Sequence, residues 1–271
     1  MDGMAGGPQV SHADGKILAA VVDGVGTLTF NQPEKRNAMS VEMWDGLANV
    51  LDAWTTDPAV RVVILTGAGD KAFVSGADIS QFARTRNNAV AQQEYNRRTG
   101  EGRARLLAFP KPVIARIQGF CLGGGLGIAM DADLRLATPD SRFGIPAAKL
   151  GIAYGYDMAR QLVSLVGEAN ARMLLFTGER IDAAEALRIG LVNQVVDDVH
   201  AAVAALSRTI AGNAPLSVTG MKRILAEVVA DPADRDRAAA DRAVATCFDS
   251  ADYTEGRTAF MEKRRPAFRG V

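Results

Sequence analysis

Short, unbroken apolar runs that each break into a glycine-rich turn constrain this chain more than any other feature. Arg61–Thr66 (RVVILT) and Lys111–Ile117 (KPVIARI) are the clearest of them. A strand with one wet face alternates apolar and polar residues, whereas a run apolar throughout suits a strand covered on both faces. Such strands belong to parallel sheets flanked by helices, so the pattern predicts an α/β fold. At 271 residues the chain suits one large domain, or a domain with an appendage, and can bury a substantial core.

The remaining segments fit that class. Residues 1–15 are glycine-rich and polar and read as a frayed tail. Lys16–Ala20 and Val25–Phe30 flank Asp23-Gly24 and predict a hairpin, followed by a polar loop at Asn31–Asn37. Ser40 reads as the N-cap of a helix whose inner face is Met43, Trp44, Leu47, Val50, Leu51 and Trp54, and Pro58 stops it. Ala72–Val74 and Leu134–Ala137 read as short strands, and Gln81–Glu101 as a polar, disorder-tolerant stretch. An apolar helix runs to Met130, Tyr156–Leu175 is helical, Asp182–Ile189 is a capped short helix, and Leu191–Val196 is a strand. Beyond Asp197 the patterns turn alanine-rich and helical, dividing the chain into a tail (1–15), an α/β core (16–197) and a helical region (198–271).

Composition narrows the function classes. The 31 Lys and Arg balance 31 Asp and Glu, so no chain-wide field draws nucleic acid or anionic membrane. His12 and His200 are far apart and fit no metal-ligand spacing, and Cys121 and Cys247 read as buried, reduced thiols. The N-terminus lacks the basic and apolar regions of a secretory signal, and no apolar run reaches membrane-spanning length. The expectation is a cytoplasmic protein without metal or membrane partner.

Two glycine-rich turns could carry chemistry. Gly67-Ala-Gly69-Asp-Lys-Ala72 follows a strand as a dinucleotide-binding fingerprint would, yet Phe73-Val74 continues as strand and opens no helix for a pyrophosphate. It therefore reads as a tight turn, with an NAD-dependent oxidoreductase the distant alternative. The second feature is a pair, Val74–Ile79 (VSGADI) and Gly119–Gly127 (GFCLGGGLG), each after a buried strand. Small residues leave backbone N–H groups unobstructed, and a helix N-terminus adds unpaired amides. Two such amides converging on one point would form an oxyanion hole for an enolate or tetrahedral anion; close glycine packing of strand and helix is the other reading.

KPVIARIQGFCLGGGLGIAMDADLRLA and KAFVSGADI, with EKRNAMS, RFGIPAAKLGI and AFMEKRRPAF, resemble the enoyl-CoA hydratase/isomerase (crotonase) superfamily from about Ile17 to Phe268. The resemblance implies a crotonase-like spiral of β-β-α units with a C-terminal helical trimerisation region, assembled as a homotrimer or a dimer of trimers. It implies an acyl-CoA thioester as substrate, with coenzyme A as part of that substrate and no tightly bound cofactor. By resemblance, the N–H groups of Ser75 and Gly124 would hold the thioester oxygen. Ser75, Gly76, Ala77, Asp78 and Ile79 would line the adenine and pantetheine path beside Ala38 and Gly123, and Arg36 and Lys263 would meet phosphates.

The resemblance breaks at two positions. Hydratases of the superfamily hold water with two glutamates, and here those positions are Gly127 and Ala147. Neither residue can orient water or move a proton, so hydration is not expected. Tyr154 falls where methylmalonyl-CoA decarboxylases of the superfamily carry a functional tyrosine, and Asp157 is the nearest alternative acid. Tyr154 is otherwise a pocket-wall aromatic, and Asp157 a helix N-terminal acid. The leading expectation is a lyase or isomerase that stabilises a thioester enolate. The alternatives are a decarboxylase of malonyl-type CoA thioesters and a non-catalytic acyl-CoA-binding subunit.

Overall fold

A computed structural model describes residues 8–78, 80 and 88–271 of the chain. Strands β1 (Gln9–His12), β2 (Ile17–Val22) and β3 (Val25–Phe30) form an antiparallel meander, and helix α1 (Val41–Thr56) follows. Three β-β-α units come next. They are β4 (Val62–Gly67), β5 (Ala72–Val74) and α2 (Ala89–Ala108); β6 (Val113–Ile117), β7 (Phe120–Leu122) and α3 (Gly124–Asp131); and β8 (Leu134–Ala137), β9 (Arg142–Gly144) and α4 (Tyr156–Thr177). The chain continues through β10 (Arg180–Asp182), α5 (Ala183–Arg188) and β11 (Gln194–Val195), and then α6 (Val199–Ala211), α7 (Pro215–Val229), α8 (Arg237–Phe248) and α9 (Ala251–Glu262).

In each repeated unit the first strand joins one sheet and the second strand joins another. The large sheet has the order β1-β2-β3-β4-β6-β8-β11, parallel from β3 onward, and the small sheet runs β10-β9-β7-β5. Successive units therefore stack side by side as a spiral, and all carry their helices to the same layer.

The unbroken apolar runs are explained by what covers them. Val63, Leu65, Val113 and Ala115 face the main core, with the inner face of α1 and with Phe73 and Phe143. Their neighbours Val62, Ile64 and Ile114 face the other way and are covered by Val199, Val203 and Ala211 of α6. Helix α6, the first after β11, is thus part of the packing of the large sheet.

Several expectations need correction. Gln9–His12 pairs with β2 and is not a frayed tail. Most of the stretch expected to tolerate disorder is α2; of Gln81–Glu101, residues 81–87 lie outside the described residues. Asn88 caps that helix by accepting from the Ala91 amide, and Arg97 pairs with Glu94 and Glu101 along its wet face. Its buried face offers only isolated residues such as Tyr95 and Leu106, and Gly102 lets it close on Trp44. Strands β7, β9 and β10 have three residues each, too few to show a period, and β11 is shorter than Leu191–Val196. Cys121 is buried, whereas Cys247 is only half-buried.

Arg135 fixes the end of α3. Its buried guanidinium donates to the Ala132 carbonyl at 2.5 Å and to the Leu191 carbonyl at 2.8 Å. Arg135→Met strands those carbonyls without partners, so urea unfolding should show a loss of about 2–4 kcal/mol with an unchanged slope.

Candidate functional site

The site begins in the loop between β3 and α1. Arg36 (φ 53) and Asn37 (φ 56) are both left-handed. Asparagine tolerates that region, and here its side chain is used three times. Asn37 Nδ2 donates to the carbonyls of Ala68 (3.0 Å) and Ala72 (2.7 Å), and Oδ1 accepts from the Gln32 amide at 3.0 Å. The loop is thereby pinned to the β4–β5 turn and runs beside the segment after β5. Gly67–Ala72 is that tight turn, with β5 starting at Ala72 and no helix following it directly.

The pairing of these two segments decides which amide is free. Ser75 N–H donates to the Arg36 carbonyl at 3.1 Å, so Ser75 is not the oxyanion donor expected from the sequence. Met39 then pairs with the carbonyl of Gly76 (2.8 Å) and the amide of Asp78 (2.9 Å). Along an extended segment, successive residues turn their polar groups to opposite sides. Ala77 N–H therefore points away from Met39, and it has no acceptor among the described residues.

On the facing side, β7 ends in Gly123, which caps α3 without a side-chain acceptor and leaves the first amides of the helix unpaired. A β-carbon on Gly123 would lie 3.9 Å from Gly76 Cα, so the two segments are in direct contact. A β-carbon on Gly124 would meet nothing within 4 Å. The half-buried Ala77 and Gly124 thus offer two free N–H groups on adjoining segments, beside open space at Gly124.

The other expected residues divide. Ala38 and Gly76 are buried in the walls of this junction. Asp78 is committed to the loop itself: its carboxylate accepts from Lys35 Nζ at 2.8 Å and from Ser80 Oγ at 2.6 Å. Burial raises the Asp78 pKa, but the Lys35 and Ser80 hydrogen bonds outweigh it and hold the group below the usual carboxylate value. Ile79 lies outside the described residues. The exposed guanidinium of Arg36 stacks 5.2 Å from the centre of the Phe120 ring, as does that of Arg180. Arg36, Lys71 and Arg142, with Asp70 and Asp140, line a cleft of about 310 Å³ over this ring. Lys263 ends α9 in a left-handed conformation (φ 56), and its exposed side chain makes no ion pair with the Ala77 segment among the described residues.

The two positions without carboxylates differ. Ala147 opens a short 3-10 turn, Ala148–Leu150, and its carbonyl accepts from Leu150 and Ile152. A β-carbon on Gly127 would strike Met158 Cε and lie 3.8 Å from the Tyr154 hydroxyl, so α4 and the residues before it fill that space. The Tyr154 hydroxyl is the one buried side-chain polar atom without a partner among the described residues. Burial pushes its pKa well above the ordinary tyrosine value; Arg103 pulls against that rise. Asp157 is exposed in the first turn of α4, where the helix dipole favours an acid.

Arg103 is a site neighbour that sequence reasoning did not single out. It projects from α2 onto Asp131, the last residue of α3, with Nε to Oδ2 at 2.7 Å and Nη2 to Oδ1 at 2.9 Å. Asp131 has no exposed side-chain surface and Arg103 retains 15 %. Burial raises the Asp131 carboxyl pKa, against the pull of Arg103.

The arrangement is a spiral of β-β-α units with two unpartnered amides on adjoining segments at a strand–helix junction. The chain belongs to the enoyl-CoA hydratase/isomerase (crotonase) family, matching it over residues 21–271. It is 37% identical over 243 residues to the short-chain-enoyl-CoA hydratase of Clostridium acetobutylicum, covering 89% of this chain and 92% of that one. It is also 37% identical over 255 residues to the crotonyl-CoA hydratase of Syntrophomonas wolfei, covering 93% and 97%. Among solved structures, an enoyl-CoA hydratase/carnithine racemase from Magnetospirillum magneticum superposes with a TM-score of 0.91 at 37% identity, covering 97% of each chain. An enoyl-CoA hydratase from Bacillus anthracis gives 0.89 at 30% identity, over 94% of this chain and 100% of that one. The fold is the crotonase fold.

The raised Tyr154 pKa yields a spectroscopic expectation. Around pH 10, where exposed tyrosines ionise, wild type and Tyr154→Phe should show the same tyrosinate absorbance. A difference between them should emerge only at higher pH or on unfolding.

Proposed function

We propose that this chain is an acyl-CoA-processing enzyme that binds the thioester oxygen between the N–H groups of Ala77 and Gly124 and stabilises an enolate. The observation that carries this reading is the pair of free amides on touching segments, one of them at a helix N-terminus. Two N–H donors aimed at one oxygen favour the charged enolate over the neutral thioester, which accelerates chemistry at the α carbon. The coenzyme A portion runs along the Ser75–Asp78 segment toward the cleft at Arg36, Lys71 and Arg142, whose cations suit phosphate.

Hydration is not the reaction we assign. A water added across a double bond needs groups to hold it and to move protons, and positions 127 and 147 offer a hydrogen atom and a methyl group. Each missing acid–base group lowers such a rate by about 10²–10⁴-fold. Family membership and backbone donors support lyase or isomerase chemistry through an enolate.

We also propose that the working form is a homotrimer. Met221, Leu225 and Val229 of α7, Phe260 and Met261 of α9, and Phe176 of α4 are large apolar side chains left exposed in the single chain. An apolar surface of that extent suits contact with further copies.

The test pairs product analysis with removal of one donor. Incubation with a mixed acyl-CoA panel, read by mass spectrometry, should reveal a converted thioester, with crotonyl-CoA hydration weak or absent. Gly124→Pro removes an N–H that has no intrahelical partner, at a position where proline suits the first turn. Turnover of the converted thioester should fall about 10²–10³-fold with the melting temperature held within a few degrees. Rapid hydration of crotonyl-CoA, or turnover unaffected by Gly124→Pro, would overturn the assignment.

A further inference from the structure

The first turns of α3 and α4 lie side by side, and their register is fixed at two points. Gln161 Nε2 donates to the Met130 carbonyl at 2.9 Å, which ties α4 to α3. One turn earlier on both helices, a β-carbon on Gly127 would strike Met158 Cε, so these two positions meet. A further turn back, the same register reaches Gly124, which opens α3, and Gly155, which caps α4. There a β-carbon on either glycine would meet nothing within 4 Å. The gap between the two helix starts is therefore open at the Gly124 amide and shut one turn further in.

What shuts it is the far end of a single side chain. Leu162 and Val166 hold α4 on the core, whereas Met158 is only half-buried and reaches across to α3. An unbranched thioether fills such a gap without fixing the backbone around it. We propose that Met158 limits the length of the acyl group, making the substrate class CoA thioesters of short acyl chains, about four carbons or fewer. This rests on the thioester oxygen lying at Ala77 and Gly124. From Gly124 to Gly127 the helix rises about 4.5 Å, so an acyl chain running along α3 meets the Met158 thioether after a few carbons. A longer chain must displace Met158 or turn out of the gap into water, and either costs it apolar contact that a short chain keeps.

Calorimetric titration with butyryl-CoA and octanoyl-CoA tests this. Wild type should bind butyryl-CoA at least about 10-fold tighter, the factor by which an apolar pocket discriminates a misfitting methylene. Met158→Ala opens the inner end of the gap and should lower that ratio about 10-fold, chiefly by tightening octanoyl-CoA. Met158→Leu conserves volume and should hold the ratio near the wild-type value. Alanine and leucine both suit a helix and Met158 is half-buried, so both variants should melt within a few degrees of wild type. A wild-type ratio near one, or a ratio unchanged in folded Met158→Ala, overturns the length limit while leaving the thioester reading intact. The wild-type ratio decides the matter even where a variant does not fold. Failure of both thioesters to bind wild type overturns the thioester reading itself, and the length limit with it.

Discussion

Helix α3 lies so close to β5 that a β-carbon at residue 125 would strike the Val74 carbonyl. The site depends on this approach. It brings the start of α3 against the segment that follows β5, which carries Ala77. Gly123 carries no capping side chain, so the positive end of the helix stays uncovered. A similar approach recurs one turn earlier, where a β-carbon on Gly119 would strike the Lys71 carbonyl at the crossing into the small sheet. The glycines of GFCLGGGLG therefore serve the close packing of strand and helix, and the same packing leaves open space at Gly124.

Much of the fold was legible in the sequence because its signals are local. The hairpin at Asp23-Gly24, the Ser40 cap, the inner face of α1 and the runs RVVILT and KPVIARI need only neighbouring residues to declare themselves. The three-residue strands β7, β9 and β10 do not, since their pairing is imposed by the spiral. Helix α2 was hidden for a different reason. Its stability comes from the Asn88 cap, from pairs along its wet face and from Gly102 fitting against Trp44, none of which makes an apolar stripe.

The site shows the same division. The motif VSGADI marks the right segment, but which of its amides is free follows from pairing with Arg36 and Met39, well upstream in the chain. That pairing is set by the Asn37 clamp, and the left-handed Gly76 (φ 119) separates Ser75, which pairs with Arg36, from Ala77, which does not. Such pairing is a tertiary fact, and no spacing within the motif contains it. Arg103 was invisible for the reason that hid α2: a cation in a polar stretch has no signal until the fold lays it against Asp131.

At residue 127 the absence of a side chain is matched by the packing around it. A side chain at position 127 is incompatible with Met158 where it now sits, and Met158 belongs to the same turn of chain as Tyr154. Residue 127 carries no side chain, and Met158 Cε and the Tyr154 hydroxyl take up the space beside it on α3. The space beside residue 127 is lined by a thioether and by a phenol that burial keeps protonated, and neither of these takes a proton from water.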